Sequence, residues 1–224
     1  MSELTTIVAV PHALLDARAF VTQLPAPLGE LPSAPSLLAW FGAQPAPLQV
    51  TAEVQAAIRD LLRHSGFKPR GRNKPASEYL IKAVEEGWMS PAQGINVAVD
   101  ACNAVSLHSG LPVSVVDLGK TRGALRLAPC GPDDAYVFNP AGQIIEVGGL
   151  ISLHDADGPF AGPVKDAQRT KTDEHTTHTL SLLWGTRALP GRVDVALAWY
   201  VELVESVGGQ VAPVVVRETA GEAA

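Results

Sequence analysis

Cationic side chains crowd one short stretch of this 224-residue sequence. Between Arg59 and Lys82 lie Arg59, Arg63, Lys68, Arg70, Arg72, Lys74 and Lys82, opposed only by Asp60 and Glu78. The densest part, Lys68-Pro-Arg70-Gly-Arg72-Asn-Lys74, has the Gly and Pro of a loop, and spaced cations on a loop can meet successive phosphates without reading sequence. Such a run can equally be a solvated loop. A second polar stretch, Lys165-Asp166-Ala-Gln-Arg169-Thr170-Lys171-Thr-Asp173, mixes cations, acids and hydroxyls at the density of a pocket rim. Asp100 and Asn103 stand one helical turn apart and share a face. Asn103 there can orient a substrate amide or a water, or both residues can tie their helix to neighbouring backbone.

Other chemistries find less support. His175-Thr-Thr-His178 falls on an expected strand, where residues three apart point to opposite faces, so the pair is a poor start for a zinc site. Asp155-Ala-Asp157-Gly158 opens like a calcium loop but lacks the closing bidentate glutamate, and reads as a hairpin turn. No Gly-x-x-x-x-Gly-Lys-Ser/Thr and no Gly-x-Ser-x-Gly occurs. No metal and no cofactor is expected.

The elements that must position these residues follow from composition and periodicity. A hydrophobic content of 46% excludes intrinsic disorder, and two cysteines, Cys102 and Cys130, exclude a disulfide scaffold and fit a reducing, cytoplasmic setting. No apolar run reaches the ~20 residues of a bilayer span, and no basic stretch opens a secretory signal. The net charge of -6 argues against bulk coating of nucleic acid but not against a local basic patch. Residues 1–50 read as a Pro-rich arm with one strand at Thr6–Val10. Helical spacing predicts helices over Thr51–His64, Pro75–Glu86 and Ile95–His108, and a last one over Val193–Val207. Between them the period changes to two. Strands are expected at Val113–Leu118, Gly123–Ala128, Ala135–Asn139, Gln143–Val147, Leu150–His154 and Thr176–Leu183. Helices packed on a mostly antiparallel sheet make an α+β fold, with a domain over 51–209 and a frayed tail over 210–224.

Several stretches together resemble a known family. These are Arg72-Asn-Lys74-Pro75-Ala-Ser-Glu-Tyr-Leu80, then Asp100-Ala-Cys-Asn103 running on to Gly110-Leu-Pro112, then Val116-Asp117-Leu118, and finally Arg169-Thr-Lys171-Thr-Asp-Glu174-His-Thr176. From about Gly66 to Leu183 the chain is similar to the B3/B4 editing module of the bacterial phenylalanyl-tRNA synthetase β-subunit, and most to freestanding proteins carrying that module alone. The resemblance implies an aminoacyl-tRNA deacylase acting in trans in translation quality control. Its partner would be aminoacyl-tRNA, with no membrane and no DNA. It implies Asn103, Ser114, Thr176, Lys165 and Arg169 as groups that orient the ester and its water or stabilise charge. Asp100, Asp117, Asp166, Thr170 and Leu182 would line the substrate pocket, and Lys68, Arg70, Arg72 and Lys74 would hold tRNA phosphates. Where the synthetase has a histidine and a tyrosine-sensing glutamate, this chain has Ser114 and Leu182. The loss of both partners for a tyrosine hydroxyl implies a different amino acid. The alternative is a non-catalytic RNA- or protein-binding module that keeps the fold.

Overall fold

The computed structural model describes residues 5–42 and 44–219. In chain order the elements are β1 (Thr6–Ala9), β2 (Leu15–Gln23), α1 (Pro35–Leu38), α2 (Ala52–Arg63), α3 (Ala76–Glu85), α4 (Val97–Ser109), β3 (Val113–Asp117), β4 (Leu125–Pro129), β5 (Ala135–Val137), β6 (Ile144–Glu146), β7 (Ile151–Asp155), β8 (Gly158–Ala161), β9 (His178–Thr186), α5 (Arg192–Ser206) and β10 (Gln210–Glu218). The four longer helices fall where periodicity places them. Thr51 Oγ1 accepts from the Val54 N–H to start α2, and the Asn96 carboxamide accepts from the Val99 N–H to start α4. Gly110, at φ 69°, ends α4 in the left-handed conformation that glycine adopts without strain.

Eight strands form one sheet in the order β3-β9-β2-β10-β1-β4-β7-β8, and β5 pairs only with β6. The sheet is mixed. β1 runs parallel to both β10 and β4, while the other pairings are antiparallel. α4 has ten of its thirteen residues buried, the pattern of a helix enclosed on nearly all sides. The sheet also curls. Ser114 on edge strand β3 donates at 2.8 Å to Asp166, which follows the opposite edge strand β8, so the two ends of the sheet meet.

Two stretches expected to be irregular are strands at the centre of this sheet. β2 lies in the supposed arm, and its pattern Leu15-Asp-Ala-Arg-Ala-Phe alternates, but with alanines that carry little strand preference. Its outward charges are tied down, Arg18 pairing with Asp16 and, at 2.8 Å, with Asp194 on α5. β10 occupies the first part of the supposed tail; residues 220–224 of that tail lie outside the described residues. Pro213 argues against a central strand. It is tolerated because β10 pairs with β2 over Gln210–Val214 and with β1 only from Val215 on, so that half of the strand needs no donor on its second flank.

Candidate functional site

The basic loop does not stand alone. Phe67 is buried beneath it, the Ala76 N–H donates to Pro163 O at 2.9 Å, and Arg59 holds Glu78 of α3 through two bonds of 2.6 Å. These ties place Arg72 and Asn73 opposite the β5–β6 hairpin, across a cleft of about 840 Å³ lined also by Phe138, Gln143, Ile144, Ile145, Glu146 and Lys165. A neighbouring recess of about 400 Å³ shares Asn73 and Glu146 and adds Lys68 and Arg70. Lys68, Arg70 and Arg72 are exposed and Lys74 is half-buried, and none of the four has an acid within ion-pair distance among the described residues. Uncommitted cations facing a concave surface suit an anionic ligand.

Lys165 reaches into the cleft with its ammonium 4.0 Å from the Phe138 ring centre, and Lys171 donates to Phe138 O at 2.6 Å. Removal from water, followed by repulsion from Arg72 and Lys171, holds the Lys165 pKa below its ordinary value. Tyr136 donates to Lys165 O at 2.6 Å and fixes the backbone from which that side chain extends.

Gly149 sets the floor under the loop. At φ +74° an added Cβ would lie 2.4 Å from Ser65 O and 2.9 Å from Phe67 N. The left-handed conformation alone costs a non-glycine residue ~1–2 kcal/mol. Gly149→Ala is therefore expected to lose at least that much stability in urea titration. Unchanged stability would remove Gly149 from this role.

A second cluster lies inside the curl of the sheet. Ser114 Oγ donates to Asp166 Oδ1 at 2.8 Å and accepts from Trp184 Nε1 at 3.0 Å, while the Gly162 N–H donates to the same carboxylate oxygen at 3.1 Å. Ser114 and Leu182 are cross-strand partners, and Trp184 stands two residues further along the same face of β9. All three are buried, so the pocket that the family resemblance places at Ser114 and Leu182 is filled by the Trp184 indole. Asp166 keeps some accessible surface but is ringed by protein. Burial pushes its pKa to about 6, against the opposing bonds from Ser114 and Gly162 and the attraction of Lys171.

That shift has a sign. Between ~4, where a free aspartate titrates, and about 6, the folded protein keeps a proton that the unfolded chain has lost. Stability contributed by this group therefore falls as pH rises through that window. Asp166→Asn, whose amide oxygen can accept the same two bonds, is expected to gain on wild type in denaturant midpoint between pH 4 and 7; a difference that does not change with pH would contradict this.

The remaining expected site residues are placed elsewhere. α4 covers the other face of β3, since Val97, Ala98 and Val115 line one small internal space with Ser181. Asn103 is on α4, half-buried, and is not brought to Ser114. Asp100 is buried, accepts from the Ile95 N–H at 2.9 Å and is roofed by Gly94, whose added Cβ would stand 2.4 Å from Asp100 Oδ2; it closes a turn rather than lining a pocket. Thr176 donates to Asp117 at 2.7 Å and accepts from the Asp173 N–H at 2.9 Å, a junction between loops. The Thr170 hydroxyl donates to Ala167 O. Arg169, expected to stabilise charge in the reaction, is committed to Asp155 by bonds of 2.9 and 2.7 Å beside the β7–β8 turn. Burial raises the Asp155 pKa, but the bonds from Arg169 and from the Arg122 and Asp157 N–H groups outweigh it and hold the carboxyl below its ordinary range. The cleft residues Phe138, Gln143, Ile144 and Glu146 were not signalled by sequence, because a short hairpin carries no motif.

No family profile matches the sequence, and no curated protein matches it. Among solved structures, the fold is similar to that of an N-terminal fragment of the phenylalanyl-tRNA synthetase β-subunit from Pyrococcus horikoshii, with a TM-score of 0.52 at 10% sequence identity. The similarity covers 98% of this chain and 55% of that one, so the chain spans little more than half the length of its structural neighbour. At this identity the likeness is one of fold.

Proposed function

We propose that this chain is an aminoacyl-tRNA deacylase acting in trans, which hydrolyses the ester of a mischarged tRNA and is not specific for tyrosine. The observation that carries the reading is the cleft and its neighbouring recess, lined by Arg72 and Lys165 and by Lys68 and Arg70, none of which has an acid within ion-pair distance among the described residues, on a fold similar to that of a tRNA synthetase fragment. Spaced cations of this kind hold the phosphates of an RNA strand. Water attack on the ester carbonyl builds negative charge on its oxygen, and a fixed cation in a partly dry site stabilises that charge more than it does in water. Lys165, held on the Phe138 ring, would supply this cation. The ester is activated, so positioning and charge stabilisation suffice without a nucleophilic triad.

The amino-acid side chain would lie in the cleft and not at Ser114 and Leu182, which are closed off by Trp184. That closure favours the second reading, a non-catalytic RNA-binding module that keeps the fold after losing the editing pocket. Incubation with a panel of mischarged tRNAs separates them. Ester cleavage above the buffer rate for at least one pair is expected; tRNA binding with no cleavage for any pair would leave the second reading standing.

A further inference from the structure

The β5–β6 hairpin has an outward face that neither the fold nor the interior chemistry uses. Val137 and Ile144 are cross-strand partners, exposed at 40% and 67% respectively, and so form a small apolar surface held open to solvent. Ile144 lines the cleft directly. The hairpin is closed by the Phe138 N–H donating to Gln143 O at 3.0 Å, and is tied to the loop of residues 165–171 by Lys171 donating to Phe138 O and Tyr136 donating to Lys165 O. On one side, then, stand Arg72 and Asn73; on the hairpin side stand Ile144, Phe138 with the Lys165 ammonium over its ring, and the polar ends of Gln143 and Glu146.

We infer that the hairpin wall docks the bases of unpaired RNA while the opposite wall holds their phosphates, so that the cleft selects single-stranded RNA over duplex. This rests on the RNA-binding part of the proposed function. The chemistry of the cleft matches the two parts of one nucleotide: exposed apolar surface at Val137 and Ile144 for a base, positive charge at Arg72 for the phosphate. In a duplex the bases are stacked inside and only phosphates are presented, so Ile144 and Val137 would gain no partner. The space of about 840 Å³ lies within the ~300–1,000 Å³ of clefts that take small organic molecules, room for individual nucleotides. Gln143 and Asn73 can donate to or accept from base edges, whereas Glu146 can only accept while ionised, which favours bases that present an amino group.

Fluorescence anisotropy with a labelled single-stranded oligoribonucleotide and a blunt duplex of the same length, at one salt concentration, tests this. Wild type should prefer the single strand. Ile144→Ser, a change at an exposed position, should weaken single-strand binding about fivefold or more, the lower end of what loss of one base contact produces, and leave duplex binding unchanged. Ile144→Phe should tighten it. Equal binding of both RNAs by wild type, or unchanged single-strand affinity in Ile144→Ser and Ile144→Phe, would overturn the inference while leaving RNA binding intact. Failure of wild type to bind either RNA would overturn the RNA reading itself.

Discussion

Replacing Arg70, Arg72 and Lys74 together by alanine is expected to weaken tRNA binding about tenfold or more near physiological salt, and to flatten its salt dependence. Each cation lost from a phosphate returns one condensed counterion, so three should take ~2–3 units from the slope of log affinity against log salt. The size of the effect follows from the lack of acidic partners. Arg59 and Arg63 lie in the same charged stretch but are engaged by Glu78 and Asp60, at 2.6 and 2.7 Å. The loop cations are free to meet a ligand, and the body around them is acidic at a net -6. Arg122→Ala, which removes a cation already paired with Asp157 at 3.3 Å, is the matched control and should change the slope little. Equal slopes for the triple variant and wild type would reduce the loop to a solubilising feature.

Trp184→Ala should be the most destabilising single change near the site. The indole is wholly buried on the inner face of β9 and supplies the donor to Ser114 Oγ. Truncating a buried tryptophan costs ~3–5 kcal/mol, which in a chain of this length lowers the melting temperature by roughly 6–20 °C. Trp184→Phe keeps most of the volume and loses the hydrogen bond, a change of ~1 kcal/mol, so the difference between the two variants measures packing. Below its melting temperature Trp184→Ala should keep its RNA affinity, because the cleft lies on the other side of Lys165 from this interior. Melting within a few degrees of wild type would mean that the interior is looser than these contacts imply.

The longer helices were legible in the sequence because each carries its own signals, an apolar stripe at helical spacing and a glycine just past its end at Gly66, Gly87, Gly110 or Gly208. Strands β2, β10 and β8 were not. β2 hides behind alanines and a paired Asp16 and Arg18, β10 behind Pro213, and β8 is a short edge strand opening on Gly158-Pro159. Each is specified by its partners in the sheet more than by its own residues. The same contrast holds at the site. A cluster of cations announces itself in one dimension, so the loop from Lys68 to Lys74 was visible. Its other wall could not be seen, because Phe138, Ile144 and Lys165 meet the loop only through tertiary folding. Family resemblance gathered Asn103, Ser114, Thr176 and Leu182 into one pocket. The structure keeps Ser114 and Leu182 together as cross-strand partners, but Asn103 belongs to α4, which covers the other face of β3, and Thr176 closes a loop junction with Asp117.

The most direct test of the account is the rate of ester hydrolysis by wild type and by Lys165→Met, on the mischarged tRNAs of a full panel, with tRNA binding measured in parallel. Methionine keeps an apolar stem on the Phe138 ring and removes the charge. The account predicts cleavage by wild type of at least one non-tyrosyl ester, slowed about tenfold or more by Lys165→Met at protein concentrations that saturate the tRNA. Equal rates for the two proteins, or wild-type rates no faster than buffer for every pair, would contradict it.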